Sequence, residues 1–256
     1  MSLMIKNTLL IDAGNSALKW AVTDANDCSN MLTKHYTDNV TADFFIECWK
    51  SLDKPITIIA CCVAQKQIWQ ALVAACDKLW EMGIHKVESL SEGYGLVNGY
   101  EIASDLGSDR WCAMIGAYHM ADSAFIVVDA GSALTIDMVN ESGQHLGGYI
   151  TPGVNTMKKS LGMHTAQVKV DADQISSPSL SLARSTKECV EAGIYLSAVK
   201  MIESVFEKES KQVKSLQCFI TGGDAKLIAN LLSFKCVMMP DIVLRGLAEI
   251  QKKNRD

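Results

Sequence analysis

The distribution of apolar and polar positions along the chain repeats one phrase. Residues 125–129 run apolar into Asp129, small residues turn the chain at 130–132, and apolar and polar positions alternate from 133 to 139, which predicts a β-hairpin. Residues 9–20 carry the same phrase, with an apolar run into Asp12, a turn at Gly14 and a return. Each copy reads Asp-Ala-Gly, then one or two small polar residues, then Ala-Leu. A near copy so far along the chain predicts two related halves, each opening on a hairpin.

The elements that follow each hairpin match. In the first half, residues 3–11, 16–23 and 31–37 predict three antiparallel strands, then come a helix over 44–52, a buried strand over 56–63, a helix over 65–82 stopped by Gly83, and a short strand over 85–90. A glycine-rich connection over 93–107, interrupted by Tyr94 and Tyr100, leads to a helix over 109–119. In the second half, strands are predicted over 125–129, 133–139 and 145–150, followed by a helix after Pro152 and a polar stretch over 171–181. A helix over 186–209 places Val190, Ile194, Met201, Ile202 and Val205 on one face, with Ser185 and Glu188 at capping-box spacing. Strand 218–221, helix 225–232, strand 235–239 and helix 242–252 complete the chain. The order β-β-β-α-β-α-β, given twice, predicts an α/β protein with the layout of actin-like ATPases and kinases: two ribonuclease-H-like lobes, 1–119 and 120–256, facing a nucleotide cleft.

Composition narrows the partners. The chain has 256 residues, 48% of them hydrophobic, enough for one large domain or two ordinary lobes. A net charge of −5 with no basic cluster argues against nucleic acid or an anionic membrane and favours a small-molecule ligand. No apolar run approaches the roughly 18 residues of a membrane span, and the first ten residues carry no charged leader, so the expected location is cytoplasmic. Nine cysteines, an odd number without CxxC spacing, read as buried reduced thiols, and the five histidines form no metal-binding pair.

Four stretches carry candidate chemistry, and a fifth reads as structural. Asp12 ends a strand at a turn where Gly14 admits backbone amides to an anion, Asn15 and Ser16 add donors and Lys19 adds charge; such a turn cradles a phosphate, and its aspartate can hold Mg²⁺ through water. Asp129, Gly131 and Ser132 repeat that equipment. Residues 221–225, Thr-Gly-Gly-Asp-Ala, form a strand-to-helix loop, read either as a turn capped by Asp224 or as a site where Gly222 and Gly223 let a nucleoside lie against backbone. At 107–111, Ser108 is expected to cap a helix, leaving Asp109 in its first turn beside Arg110. Residues 147–153 read as a strand end followed by a helix with Pro152 in its first turn.

Together these motifs resemble the type III pantothenate kinase family over essentially the whole chain. The family's patterns occur in order: DxGN(T/S)xxK at 12–19, LGxDR at 106–110, DxG(T/S)AxTxD at 129–137, GGxIxPG at 147–153, a Ser-Thr helix start at Ser185 and Thr186, and TGGDA at 221–225. The resemblance implies ATP-dependent phosphorylation of pantothenate to 4′-phosphopantothenate, the first step of coenzyme A synthesis, in a homodimer using Mg²⁺ and a monovalent cation, K⁺ or NH₄⁺. It implies Asp109 as the catalytic aspartate and Tyr100, Gly107, Ser108, Asp109, Arg110 and Thr186 at pantothenate. Asp12, Ala13, Gly14, Asn15, Ser16, Ala17, Leu18, Lys19, Ser132, Gly222 and Gly223 fall at ATP, with Mg²⁺ at Asp12 through water. Asp129 is assigned the monovalent cation. Arg110 is left between two partners, the substrate carboxylate and the developing phosphate charge. Ser16 and Ser132 stand where threonine is commoner, and Ala103 stands where the family usually has proline, which leaves the loop before Gly107 open in shape. An alternative class, a nucleotide-binding regulatory or accessory protein, is disfavoured by the intact Asp109–Arg110 pair.

Overall fold

The computed structural model describes residues 7–23, 28, 30–36, 40–164 and 178–253. Its contacts divide the chain into two units, residues 1–120 with 241–256, and residues 121–240.

The first unit is built on β1 (Thr8–Ala13), every residue of which is buried. A strand that is apolar on both sides belongs in a sheet centre, and β1 lies there, antiparallel to β2 (Ala17–Thr23) and parallel to β4 (Thr57–Cys62). The edges are β3 (Leu32–His35) beside β2 and β5 (His85–Lys86) beside β4, giving the order β3-β2-β1-β4-β5. One face is covered by α1 (Ala42–Trp49) and α2 (Lys66–Trp80), whose Phe45, Trp49, Leu72 and Trp80 pack with Leu9, Ile11, Trp20 and Ile58. On the other lie α3 (Ser108–Tyr118) and the last helix, α7 (Ile242–Lys253). These two helices approach at paired glycines, because a Cβ at Gly116 would stand 2.2 Å from the Ile242 carbonyl oxygen and one at Gly246 only 1.9 Å from that of Cys112. The boundary expected at 119/120 therefore does not carry the chain end with it: α7 groups with the first unit, held by a close backbone approach that only glycine permits.

The second unit repeats the sheet. β8 (Ala124–Ala130) is central, antiparallel to β9 (Ala133–Val139) and parallel to β11 (Leu216–Thr221), in the order β10-β9-β8-β11-β12 with β10 (His145–Pro152) and β12 (Val237–Met238) at the edges. Ile126, Val128, Ile136 and Ile220 pack on one face with Val154 of α4 (Val154–His164), Tyr195 and Ile202 of α5 (Thr186–Ser210), and Ile228 of α6 (Ala225–Ala229). Two five-stranded sheets in the same order make the α/β fold that the repeated hairpins predict.

Several boundaries differ. The strand expected over 85–90 is paired only at His85–Lys86, and the helix expected over 225–232 ends at Ala229. Residues 3–6 of the first expected strand, Thr37 of the third, and 171–177 of the polar stretch lie outside the described residues. The connection over 93–107 contains a small hairpin, β6 (Glu92–Gly93) and β7 (Leu96–Val97), turned by Tyr94 and Gly95, both with positive φ.

Candidate active site

In the first unit the candidate residues gather at the ends of β1 and α3. Asp12 lies in a row across three strands, opposite Lys19 on β2 and beside Cys61 on β4, so the three side chains leave the same face of the sheet. The Cys61 thiol donates to Asp12 Oδ1 at 3.5 Å. Asp12 is 8% exposed, and burial lifts its carboxyl to about 6; the Asp109 charge pushes the same way, while Lys19 and the Cys61 hydrogen bond oppose the rise. Contact with Cys112 and burial together push the Cys61 thiol well above the ordinary thiol range.

The turn after Asp12 is pinned from outside the motif. Gly14 N–H donates to the Ala17 carbonyl at 3.1 Å, Tyr36 N–H donates to the Ser16 carbonyl at 3.1 Å, and the Tyr36 hydroxyl donates to the Gly14 carbonyl. Asn15 and Ser16 are exposed at its tip. Gly14 has no positive φ, and a Cβ there would meet only the Ala17 carbonyl oxygen at 3.5 Å. Its value is an uncovered backbone rather than a special conformation.

The α3 start differs in one detail from expectation. Gly107 is the N-cap and makes no side-chain cap, Ser108 is the first helical residue, and the Asp109 carboxylate folds back to accept the Arg110 N–H at 2.8 Å. A Cβ on Gly107 would stand 2.6 Å from Asp109 Oδ1, so glycine leaves room for that carboxylate. Arg110, 7% exposed, donates from Nη1 to the Tyr100 hydroxyl at 2.8 Å, with its guanidinium 5.6 Å from the Tyr100 ring centroid. Tyr100 is placed by Asn98, whose Oδ1 accepts the Tyr100 N–H and whose Nδ2 donates to the Leu90 and Ala103 carbonyls. Ala103 opens a 3₁₀ turn, so the loop that lacks proline is shaped by Asn98 and by Ser89, which donates to the Leu106 carbonyl at 2.8 Å.

In the second unit Asp129 occupies the matching place. Its row is Thr135 on β9, Asp129 on β8 and Thr221 on β11. The turn is one residue shorter, with residues 131–133 between paired positions against 14–17 in the first. Ser132 is exposed, while its carbonyl accepts from Gly153 N–H at 3.0 Å and from the Thr156 hydroxyl at 2.6 Å. A Cβ on Gly153 would lie 2.0 Å from the Gly131 carbonyl oxygen, which explains the last glycine of 147–153: it buttresses the turn. Pro152 is the last residue of β10 and precedes α4 rather than entering its first turn.

The loop after β11 crosses over the Asp129 carboxylate. Gly222 has φ +100, and a Cβ there would meet Ala130 backbone at 2.4 Å and Asp129 Oδ1 at 2.6 Å. Gly223 is exposed. Asp224 makes no side-chain cap; its N–H donates to the Ala130 carbonyl at 3.0 Å, and its buried carboxylate is pushed up by burial with Lys158 opposing. Thr186 opens α5 and is exposed, after a capping box in which Ser185 Oγ accepts the Glu188 N–H and donates to Glu188 Oε2.

Among the described residues no group of three or more His, Cys, Asp or Glu side chains is poised to hold a metal. A single carboxylate at each strand end suits a hard cation that takes most of its ligands from phosphate and water. A profile of the type III pantothenate kinase family matches residues 8–208. The type III pantothenate kinase of Nitrosococcus oceani is 32% identical over 250 residues, covering 95% of this chain and 93% of that protein. The chain belongs to the type III pantothenate kinase family.

Among solved structures, a Campylobacter jejuni protein described as a Baf family transcriptional activator is similar with a TM-score of 0.60 at 23% identity, covering 96% of this chain and 98% of that one. MreB 5 of Spiroplasma citri, bound to AMPPNP, gives a TM-score of 0.52 at 10% identity, covering 98% and 97%. At such identities these likenesses concern the fold, that of actin-like ATPases. Sequence reasoning missed Tyr36, Cys61, Asn98 and Thr221. Only Thr221 stood inside a motif, and nothing local distinguishes its hydroxyl from that of any strand threonine.

Proposed function

We propose that this chain phosphorylates pantothenate with ATP, giving 4′-phosphopantothenate and ADP, with Asp109 as the catalytic residue. The observation that carries the proposal is the α3 start, where Asp109 bears electrostatically on buried Asp12 and stands beside a buried Arg110 bound to Tyr100. Tyr100, Gly107, Ser108, Arg110 and Thr186 take pantothenate; residues 12–19 with Ser132, Gly222 and Gly223 take ATP. The pantothenate hydroxyl oxygen attacks the γ-phosphorus, the bond to the β-phosphate oxygen breaks, and the hydroxyl proton passes to Asp109. An ionised carboxylate is a weak base, but a loose transition state needs little deprotonation early, so Asp109 mainly orients the hydroxyl and accepts the proton late.

Asp12 is the Mg²⁺ residue in this reading. Its raised pKa fits, because a buried carboxylate beside a second acid would be kept ionised by a neighbouring cation. Mg²⁺ would supply neutralisation of the β- and γ-phosphate charge. Asp129 is the monovalent-cation residue, and its fit rests on the buried Thr221 hydroxyl beside it, which has no hydrogen-bond partner among the described residues.

A homodimer in the cytoplasm completes the proposal. The edge strand β10 exposes Leu146 (55%), Tyr149 (47%) and Ile150 (60%), an apolar edge suited to a second copy. All nine cysteines are free thiols, in keeping with a reducing compartment. No helix of the described residues is long and apolar enough to cross a membrane. Incubation with ATP, Mg²⁺, K⁺ and pantothenate should yield a product heavier by one phosphoryl group, read by mass spectrometry. Absence of that product at every monovalent cation tried would overturn the reading.

A further inference from the structure

Thr221 is 1% exposed, yet its Oγ1 finds no hydrogen-bond partner among the described residues. A buried hydroxyl left unsatisfied is destabilising and is rarely retained without a ligand, ion or water to complete it. Its surroundings say what would complete it. Thr221 is the parallel ladder partner of Asp129, and alternation along β11 puts Ile220 on the core face and Thr221 on the face of the carboxylate. Thr135, the antiparallel partner, stands on the other side of Asp129. Two glycines keep side chains off the carboxylate: a Cβ at Gly131 would lie 3.3 Å from Asp129 Oδ1, and one at Gly222 2.6 Å from it.

We infer that Thr221 Oγ1 is a direct ligand of the monovalent cation held at Asp129, with Thr135 as the flanking hydroxyl on the opposite strand. The inference rests on the assignment of that cation to Asp129 and adds the residue that selects it. One carboxylate charge set between neutral hydroxyl oxygens balances a single positive charge. A bare phosphate is repelled by the same carboxylate, and a small divalent ion demands a stricter octahedral shell. The matching row of the first unit has a fixed ammonium at Lys19 and a thiol at Cys61 in the places where this row has hydroxyls.

The test compares the full chain with Thr221→Ser, which keeps the hydroxyl, and Thr221→Val, which keeps the shape and loses it. Thermal stability is followed as KCl replaces choline chloride at constant ionic strength, with Mg²⁺ and a non-hydrolysable ATP analogue present. The wild type and Thr221→Ser are expected to gain stability with a common K⁺ midpoint, and Thr221→Val to need roughly tenfold more K⁺ or to lose the response. A Thr221→Val midpoint equal to wild type, with Asp129→Asn unresponsive, overturns the role of Thr221 while sparing the Asp129 site. A wild type without any K⁺ response overturns the site and the inference together. Rubidium in crystals of the wild-type protein provides a readout that needs no variant. An anomalous peak in contact with both Asp129 and Thr221 Oγ1 supports the inference, and a peak at Asp129 out of reach of Thr221 refutes it.

Discussion

The rows Lys19–Asp12–Cys61 and Thr135–Asp129–Thr221 occupy the same three places in two sheets of the same strand order, and they differ at every position except the aspartate. The first row brings its own cation and a thiol donor; the second brings two hydroxyls. The two units thus share the device that delivers a carboxylate to a strand end beside a glycine turn, and differ in its ladder neighbours. Since neighbours across strands set the charge and oxygen count around each carboxylate, two copies of one motif can serve different ions.

The comparison is broken most severely at its nearest neighbour. The Asp109 charge bears on Asp12 of the first row, and Asp109→Asn is predicted to lower kcat by roughly 10² to 10⁴ with the melting temperature close to wild type. Unchanged turnover would remove Asp109 from the chemistry.

The glycines of the two units come next. Gly222→Ala forces a side chain into positive φ and onto Ala130, and should destabilise the protein by roughly 1–3 kcal/mol or more, whereas Gly14→Ala should stay within about 1 kcal/mol of wild type in urea unfolding. Equal losses would mean that the two turns are under the same strain.

Asp12 also makes a stability prediction for metal-free protein. Its folded value of about 6 lies above the ordinary 3.8, so its contribution is fully present below pH ~4 and is lost as pH rises through 6, a change on the order of 1–3 kcal/mol. Asp12→Asn should flatten that decline between pH 4 and 7. A wild-type and variant pair with parallel pH profiles would show that the carboxyl is not strained by its burial.

The smallest effect is expected at the strand opposite. Lys19→Met should raise KM for ATP roughly tenfold through loss of a charge-assisted contact, while Thr135→Val should change it by no more than about twofold. Matching shifts would erase the distinction between the rows.

How much of this was legible in the sequence depends on the range of the interaction. The hairpins, the order of strands and helices and the Ser185 capping box follow from periodicity and short motifs, and the structure has them. The small hairpin at 92–97 was not legible, since two-residue strands carry no alternation and only the Tyr94–Gly95 turn makes them. Periodicity marked α7 as a helix but says nothing about which sheet it joins; Gly116 and Gly246, far apart in sequence, decide that. Motif matching brought Asp12, Asp109 and Arg110 to attention. It could not supply Tyr36, Asn98 or Cys61, whose roles are hydrogen bonds to turns and carboxylates distant along the chain. Ser108 was expected to cap α3 because serine commonly does, yet the folded-back Asp109 carboxylate takes up a first-turn N–H and Gly107 takes the cap position.

The proposed division of labour between the two aspartates is tested most directly by titrating Mg²⁺ and K⁺ separately in the phosphorylation assay with Asp12→Asn and Asp129→Asn. The predicted result is a crossed one: Asp12→Asn raises the Mg²⁺ requirement and leaves the K⁺ midpoint unchanged, and Asp129→Asn does the reverse. If both variants shift both ions alike, the two rows do the same job and the account is wrong.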